Sequence, residues 1–340
     1  MFPGELKCLS GRVRTKISTI IPTYNRAKDL EDCLDSLFTQ TVLPFEIIVI
    51  DNADNLETEK LINGKYCSNN KIPVKYIKNG KLNSANIARN IGADNSAGDL
   101  LLFLDDDVVL DPNFIEEIIN VFQQHPQAAG VQGYIKNRMT SQLTNLIQKL
   151  FFLNHSLKNH NKLLPSMQDV HAYPLTEVIR CQWLMAGCTC YRKLIFDDFK
   201  FDNNLYKYCS GDDADISYRI YKTYPQSLYQ TPYATLIHKI SDKGRPHSKE
   251  VVTTGQVYHT YLFFKNVDQN LRNKLIFIWS RIGLIIKKIG IFVLHPSTNN
   301  ISQIKYLIEA YVYCMNNVSN LKKGDIKFYT DTLRSCVKIK

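Results

Sequence analysis

Three aspartates in succession, Asp105, Asp106 and Asp107, follow directly on the apolar run Leu100-Leu101-Leu102-Phe103-Leu104. A strand of that composition is buried on both faces and delivers its last residues to the carboxyl edge of a sheet. Adjacent carboxylates repel one another, so packing alone gives no reason for the triplet. Along an extended chain Asp105 and Asp107 fall on one side and Asp106 on the other. Two hard oxygen ligands on one side suit Mg²⁺ or Mn²⁺, with a bound phosphate supplying further oxygens. The competing reading is a polar turn capping the next helix. It accounts for Asp111, which precedes Pro112 at a good helix start, better than it accounts for the triplet.

Other chemistry-bearing groups occupy comparable positions. Pro22-Thr23-Tyr24-Asn25-Arg26 leaves one apolar run and Asp51-Asn52 leaves another. At the carboxyl edge of an α/β sheet, where nucleotides bind, Asp51 could accept hydrogen bonds from a base or ribose and Tyr24 could stack on the base. Asp51 reads equally well as a turn residue. In Gly211-Asp212-Asp213-Ala214-Asp215 three acids fall in the first turn of a helix. They complement the helix dipole, and one of them could take a proton from an attacking hydroxyl. His238 ends an apolar stretch and could ligate a metal or touch a diphosphate; otherwise it is an ordinary turn residue.

The elements that must position these groups are legible as an alternation. Strands are predicted at Ile17–Pro22, Phe45–Ile50, Val74–Ile77 and Leu100–Leu104, with helices over Leu30–Thr39, Ser84–Ala93 and about Pro112–Phe122. That order predicts an α/β fold, a parallel sheet with helices on both faces. Residues 138–176, rich in Asn, Leu, His and Gln, read as an inserted, partly helical excursion. Regularity returns over Val178–Tyr191, followed by a helix from Asp212 to Tyr221 and a strand from Leu228 to His238. Beyond Lys249 the pattern is helical to about Tyr313.

The chain has 340 residues, 44% apolar and 22% charged, enough for one large α/β domain with an appendage. Its net charge of +10 is uneven. Residues 239–340 carry 17 basic and 6 acidic side chains, while residues 1–238 carry 25 and 26. The excess therefore belongs to the tail and points to an anionic lipid surface or a polyanion. Nine cysteines without a framework are expected to be reduced and mostly buried. Met1 to Lys16 lacks an apolar segment after a basic start, so no signal peptide is expected and the cytosol is the expected compartment. Leu275–Leu294 is apolar but contains Arg281, Lys287 and Lys288. Each would cost about 2.5–3.5 kcal/mol near a bilayer centre. Lys274, Arg281 and Lys288, spaced at seven, share one helical face, as an interfacial helix with basic residues toward the headgroups requires. A soluble helix packed on its own domain is the other reading.

Over about residues 15–245 the chain resembles the inverting nucleotide-sugar glycosyltransferases of family 2. Ser18 to Arg26 is similar to that family's opening strand, Phe45 to Asn52 to its second, and Asn86-Ile87-Ala88-Arg89-Asn90-Ile91-Gly92 to its following helix. Leu104 to Asp107 resembles its metal-binding acidic motif, and Gly211-Asp212-Asp213 with Arg219 its second acidic pattern. The resemblance implies a GT-A fold, Rossmann-like, with a mostly parallel mixed sheet flanked by helices. It implies a catalytic domain over residues 1–245 and a basic helical extension over 246–340, as many members carry near membranes. It further implies Asp213 as general base and Asp107 as principal ligand of Mn²⁺ or Mg²⁺, with Asp105 and His238 beside it. Asp105 and Asp106 would also meet ribose or sugar. Pro22, Thr23, Tyr24, Arg26, Asp51, Asn52 and Arg89 would bind the nucleotide-sugar, and Trp183, Gly187 and Asp212 would lie toward the acceptor. The implied partners are a nucleoside-diphosphate sugar, a glycan or lipid-linked acceptor, and an anionic membrane surface met through residues 270–295. Such a protein would be peripheral to the cytoplasmic face. Asn52 stands where the family often has a second Asp, leaving the nucleotide open, and Asp212 replaces a usual Glu. A nucleotidyltransferase would carry a glycine-rich loop after the first strand, where this chain has none. A non-catalytic sugar-nucleotide-binding or membrane scaffold protein would have no need of both acidic motifs. The tail contains no recognisable nucleic-acid module.

Overall fold

The computed structural model describes residues 15–67, 71–80, 84–138, 142–207, 211–239 and 249–335. The stretch read for a leader lies, up to residue 14, outside them. The first half alternates as expected: β1 (Ile17–Thr23), α1 (Ala27–Phe38), β2 (Glu46–Asp51), α2 (Glu57–Leu61) running into a π turn over Ile62–Tyr66, β3 (Val74–Lys78), α3 (Ala85–Asp94), β4 (Leu100–Leu104), β5 (Val108–Leu110) and α4 (Phe114–Gln124). In α1, Leu30, Cys33, Leu34 and Leu37 are buried at the i, i+3, i+4, i+7 spacing of one helical face. Ser84 caps α3, its side chain accepting from the Ile87 amide at 3.4 Å. All five residues of β4 are buried, which is why its apolar run does not alternate.

The excursion holds α5 (Gln142–Leu150) and a small sheet of β7 (His155–Leu157), β8 (Lys162–Leu163) and β9 (Asp169–Ala172), ordered β7-β9-β8. It has more strand than its composition implied, because its strands are only two to four residues long and too short to show a period. Then come β10 (Ile179–Cys181), β11 (Cys188–Arg192), α6 (Ile195–Asp198), α7 (Asp212–Thr223) and β12 (Leu228–His238). The main sheet runs β10-β12-β6-β11-β4-β1-β2-β3, where β6 is Gly130–Ile135, and β5 pairs with β12. The β3-β2-β1-β4 half is parallel. β11 is antiparallel to both β4 and β6, which makes the sheet mixed rather than parallel throughout. Apolar clusters fill both faces, one around Ile21, Leu34 and Leu102, the other around Ile20, Phe103 and Tyr191.

The helical tail continues past Tyr313: α8 (Lys249–Asn266), α9 (Leu271–Leu294), α10 (Thr298–Asn316), α11 (Val318–Lys322) and α12 (Lys327–Ser335). α8 shares a third core with Trp183, Leu205 and Tyr206. Tyr258 is fully buried there; its hydroxyl donates to the Tyr206 carbonyl and accepts from the Tyr206 amide, each at 2.9 Å. Burying Leu262 or Phe263 beside it stabilises the contact by about 1.5–3 kcal/mol each. No helix among the described residues is long and apolar enough to cross a membrane. The expected basic face of α9 does not form as such. Arg281 is buried, lies over the Phe277 ring at 4.8 Å and donates to Gln256 Oε1 at 3.1 Å. It points toward Gln256 of α8, while the exposed side of α9 carries apolar residues. Of the six described cysteines, all free thiols, five are buried and Cys67 is exposed.

Candidate active site

Register sets the first part of the site. β1 and β4 pair with Ile20 opposite Phe103. Three residues on, the same offset brings Thr23 to Asp106, and Thr23 Oγ1 donates to Asp106 Oδ2 at 2.7 Å across 83 residues of chain. Arg26, just past β1, donates to Asp106 at 3.0 Å and to Asp107 at 3.4 Å. Burial pushes the Asp106 carboxyl up to about 6, with Arg26 and Thr23 offsetting this only in part.

β4 ends at Leu104 and Asp106-Asp107 form a turn, so Asp105 and Asp107 are grouped not by strand alternation but by His238. β12 pairs antiparallel with β5, and His238 lies opposite Val108, next to the triplet. The His238 Nε2 atom is 2.9 Å from Asp107 Oδ1. Asp105, Asp107 and His238 each offer one ligand atom, all within 4.8 Å of one another. Two carboxylate oxygens and an imidazole nitrogen are a donor set that can hold a divalent cation.

Arg89, buried on α3, connects this group to the second acidic motif. Its Nη2 donates to Asp105 Oδ1 at 3.1 Å and its Nη1 to Asp212 Oδ2 at 2.9 Å. α7 starts at Asp212 because Gly211, at φ +100°, makes a left-handed turn that few other residues adopt. Asp213 Oδ1 accepts from the Ala214 amide at 2.8 Å. Burial, and then the charges of Asp212 and Asp169, push the Asp213 carboxyl up to about 8. Burial also raises Asp212, against the pull of Arg89.

These side chains line one cavity of about 560 Å³, together with Pro22, Tyr24, Asn52, Trp183 and Gly187. Tyr24 stands partly exposed at its rim. Trp183 is buried in the wall and donates from Nε1 to the Val170 carbonyl at 3.2 Å. Asp51 is fully buried just behind the cavity. Its oxygens accept from the Tyr76 hydroxyl at 2.9 Å, Lys78 Nζ at 3.1 Å and the Ala53 amide at 2.9 Å. Asn52, one residue on, reaches the cavity and accepts from Asn79 Nδ2 at 2.6 Å. Arg219 lies elsewhere, paired with Asp215 at 2.9 Å.

Sequence reasoning missed the far wall, formed by Arg138, Asn154, Asp169 and His171. Asp169 accepts from Asn154 at 2.8 Å and meets His171 Nε2 at 2.5 Å. His171 sets its ring edge-on to Trp183 at 4.9 Å. The available signal was the alternation in Asp169-Val170-His171, with Val170 wholly buried. Its brevity inside the excursion concealed it.

Residues 18–181 match the family model described as Glycosyl transferase family 2. An uncharacterized glycosyltransferase of Haemophilus influenzae is 37% identical over 110 residues, 32% of this chain and 35% of that protein. The chain thus spans about a third of that relative's length. The GalNAc(5)-diNAcBac-PP-undecaprenol beta-1,3-glucosyltransferase of Campylobacter jejuni is 23% identical over 269 residues, 76% of this chain and 75% of that one. Among solved structures, the mannosyltransferase PcManGT from Pyrobaculum calidifontis in complex with GDP-Man and Mn²⁺ is 13% identical, with a TM-score of 0.56 over 88% of this chain and 87% of that one. At that identity the likeness speaks for the fold. Residues 18–181 thus form a glycosyltransferase family 2 domain, and the fold is GT-A.

Proposed function

We propose that the protein transfers a sugar, a hexose or a related residue, from a nucleoside-diphosphate sugar to an acceptor hydroxyl, inverting the anomeric carbon and requiring a divalent cation. The observation that carries this reading is Arg89. It ties the cation-binding group, through Asp105, to Asp212, the neighbour of a carboxylate whose proton affinity is raised.

Asp213 takes the proton of the acceptor hydroxyl as that oxygen forms its bond to the anomeric carbon. The bond from that carbon to the phosphate oxygen breaks on the opposite side, and the nucleoside diphosphate leaves. A carboxylate with a raised pKa is a better base than an ordinary one, and general-base help is typically worth about 10²–10⁴ in rate. Asp105, Asp107 and His238 would hold Mn²⁺ or Mg²⁺, which supplies positive charge to the departing diphosphate. Arg26 and Thr23 fix Asp106 toward the sugar or ribose. Pro22, Tyr24 and Asn52 form the nucleotide end, with Tyr24 placed to stack on the base and Asp51 holding the strand end behind them. Trp183, Gly187 and Asp212 border the acceptor. The Pyrobaculum calidifontis neighbour's GDP-Man and Mn²⁺ support the donor class, and the Campylobacter jejuni relative's undecaprenol-linked substrate supports a glycan or lipid-linked acceptor. The basic tail supports a peripheral place on an anionic membrane surface at the cytoplasmic face, met through residues 270–295.

The test is nucleoside diphosphate release across UDP-, GDP- and dTDP-sugars with Mn²⁺, wild type against Asp213→Asn. Transfer is expected to collapse in the variant while donor binding by calorimetry persists. Near-normal transfer by a folded Asp213→Asn protein would remove Asp213 from the base role.

A further inference from the structure

Along α9, Leu275, Ile278, Ile282, Ile286, Ile289 and Val293 recur every three or four residues, and each is 43–68% exposed. A stripe of that period on a packed helix would ordinarily face a core. Here the opposite side does so, with Ser280 and Arg281 buried and Gly283 against Phe151. The stripe does not end with α9. Trp279 Nε1 donates to the Leu150 carbonyl at 3.0 Å and its ring lies 5.1 Å from that of Phe151. This places the exposed Leu146 and Leu150 of α5 alongside. Two helices from distant parts of the chain thus present adjoining apolar surfaces.

We propose that α5 and α9 together form an insertion face that seats the protein on a bilayer rich in anionic lipid. Charge selects this occupant. Besides the inward-turned Arg281, α5 and α9 carry Lys149, Arg272, Lys274, Lys287 and Lys288 and not one Asp or Glu. A second copy meeting the same face would bring like charges together, whereas anionic headgroups would neutralise them. The arrangement differs from a basic stripe lying on headgroups, because the apolar ridge enters the acyl boundary and Arg281 turns inward. α5 also opens the excursion whose Asn154, Asp169 and His171 line the cavity. The far wall of the cavity and one helix of the insertion face therefore belong to one segment. That favours an acceptor carried on a lipid, a refinement that rests on the glycosyltransferase reading above.

The experiment is co-sedimentation of the full chain with vesicles of phosphatidylcholine plus phosphatidylglycerol, against phosphatidylcholine alone. Binding is expected to the anionic vesicles and at least about tenfold more weakly to the neutral ones. It should fall at least about tenfold in Ile282→Glu/Ile286→Glu and in Leu146→Glu/Leu150→Glu. All four positions are exposed, so the fold tolerates these changes. Arg272→Glu/Lys274→Glu should weaken binding to the anionic vesicles alone. The chain has two tryptophans and Trp183 is already buried, so a blue shift on vesicle binding reports Trp279. Variants that sediment like the wild type overturn the proposal. So does a wild type that ignores both vesicles and is a dimer by light scattering that the variants dissociate. Donor binding with Mn²⁺, measured by calorimetry, separates the two readings. If it is absent while vesicle binding persists, the glycosyltransferase reading falls and the insertion face stands.

Discussion

Gly187 and Asp105 stand so close that a Cβ at position 187 would lie 2.3 Å from Asp105 Oδ2. The contact follows from strand pairing. Cys188 opens β11 opposite Leu104, and the Asp105 amide donates to the Gly187 carbonyl at 3.2 Å. The glycine lets an antiparallel strand begin directly over a carboxylate of the candidate cation site.

Gly187→Ala is therefore expected to displace Asp105 while leaving the sheet intact. Mn²⁺ affinity should fall about 10–100-fold, the range seen when groups supporting a metal ligand are disturbed. Calorimetry with Mn²⁺ checks this, with circular dichroism to confirm the fold. Unchanged affinity would mean that Asp105 is not a ligand.

Arg89 is the one cation hydrogen-bonded to both Asp105 and Asp212 among the described residues. Arg89→Met leaves their charges uncompensated beside Asp213. Removing one partner of a buried ion pair costs about 3–5 kcal/mol. A lowered urea midpoint should report it, and Arg89→Lys, able to reach one carboxylate but not bridge two, should recover only part. Wild-type stability in Arg89→Met would show that the carboxylates are held by other means.

How far the sequence could be read depended on element length. β4 and β12 fall at the boundaries their apolar runs predict, but the triplet lies past β4 in a turn that strand alternation does not describe. β12 pairing with β5 brings His238 to the candidate cation group, and the long apolar run of β12 let that strand end be read from sequence. The far wall was not legible. Asp169 and His171 sit on a four-residue strand whose partners are two and three residues long, so no period emerges. Asp51 was seen as a site residue, but that it is sealed behind the cavity by Tyr76 and Lys78 depends on β2 pairing with β3. Arg281 shows the same limit. Spacing placed it on a face with Lys274 and Lys288, but which face packs against α8 is decided by tertiary contacts.

Asp213→Asn should also stabilise the protein, increasingly so as pH rises. The folded-state pKa of about 8 lies above the ordinary carboxylate value of 3.8. Between those values the folded state holds a proton that the unfolded state has released, so stability declines as pH rises through the window. Asparagine has no proton to lose. Its advantage should be small near pH 4 and largest at pH 8 and above, measured as the difference in Tm between variant and wild type. A gain that does not grow with pH would mean that the carboxylate is ordinary.

The same perturbation should shape catalysis. If Asp213 must be ionised to accept the hydroxyl proton, kcat/KM for transfer falls about tenfold per pH unit below its pKa and levels off above it. Asp169 contributes to that pKa as a nearby negative charge, after burial and Asp212. Asp169→Asn removes the charge and leaves the Asp213 carboxylate in place, so the acid limb should move to lower pH while the plateau keeps its form. A role for Asp169 in acceptor binding alone would instead change KM at every pH and leave the limb where it was. A profile from pH 5.5 to 9 with Mg²⁺ separates these outcomes. A limb that stays in place in Asp169→Asn would break the electrostatic link between the far wall and the base.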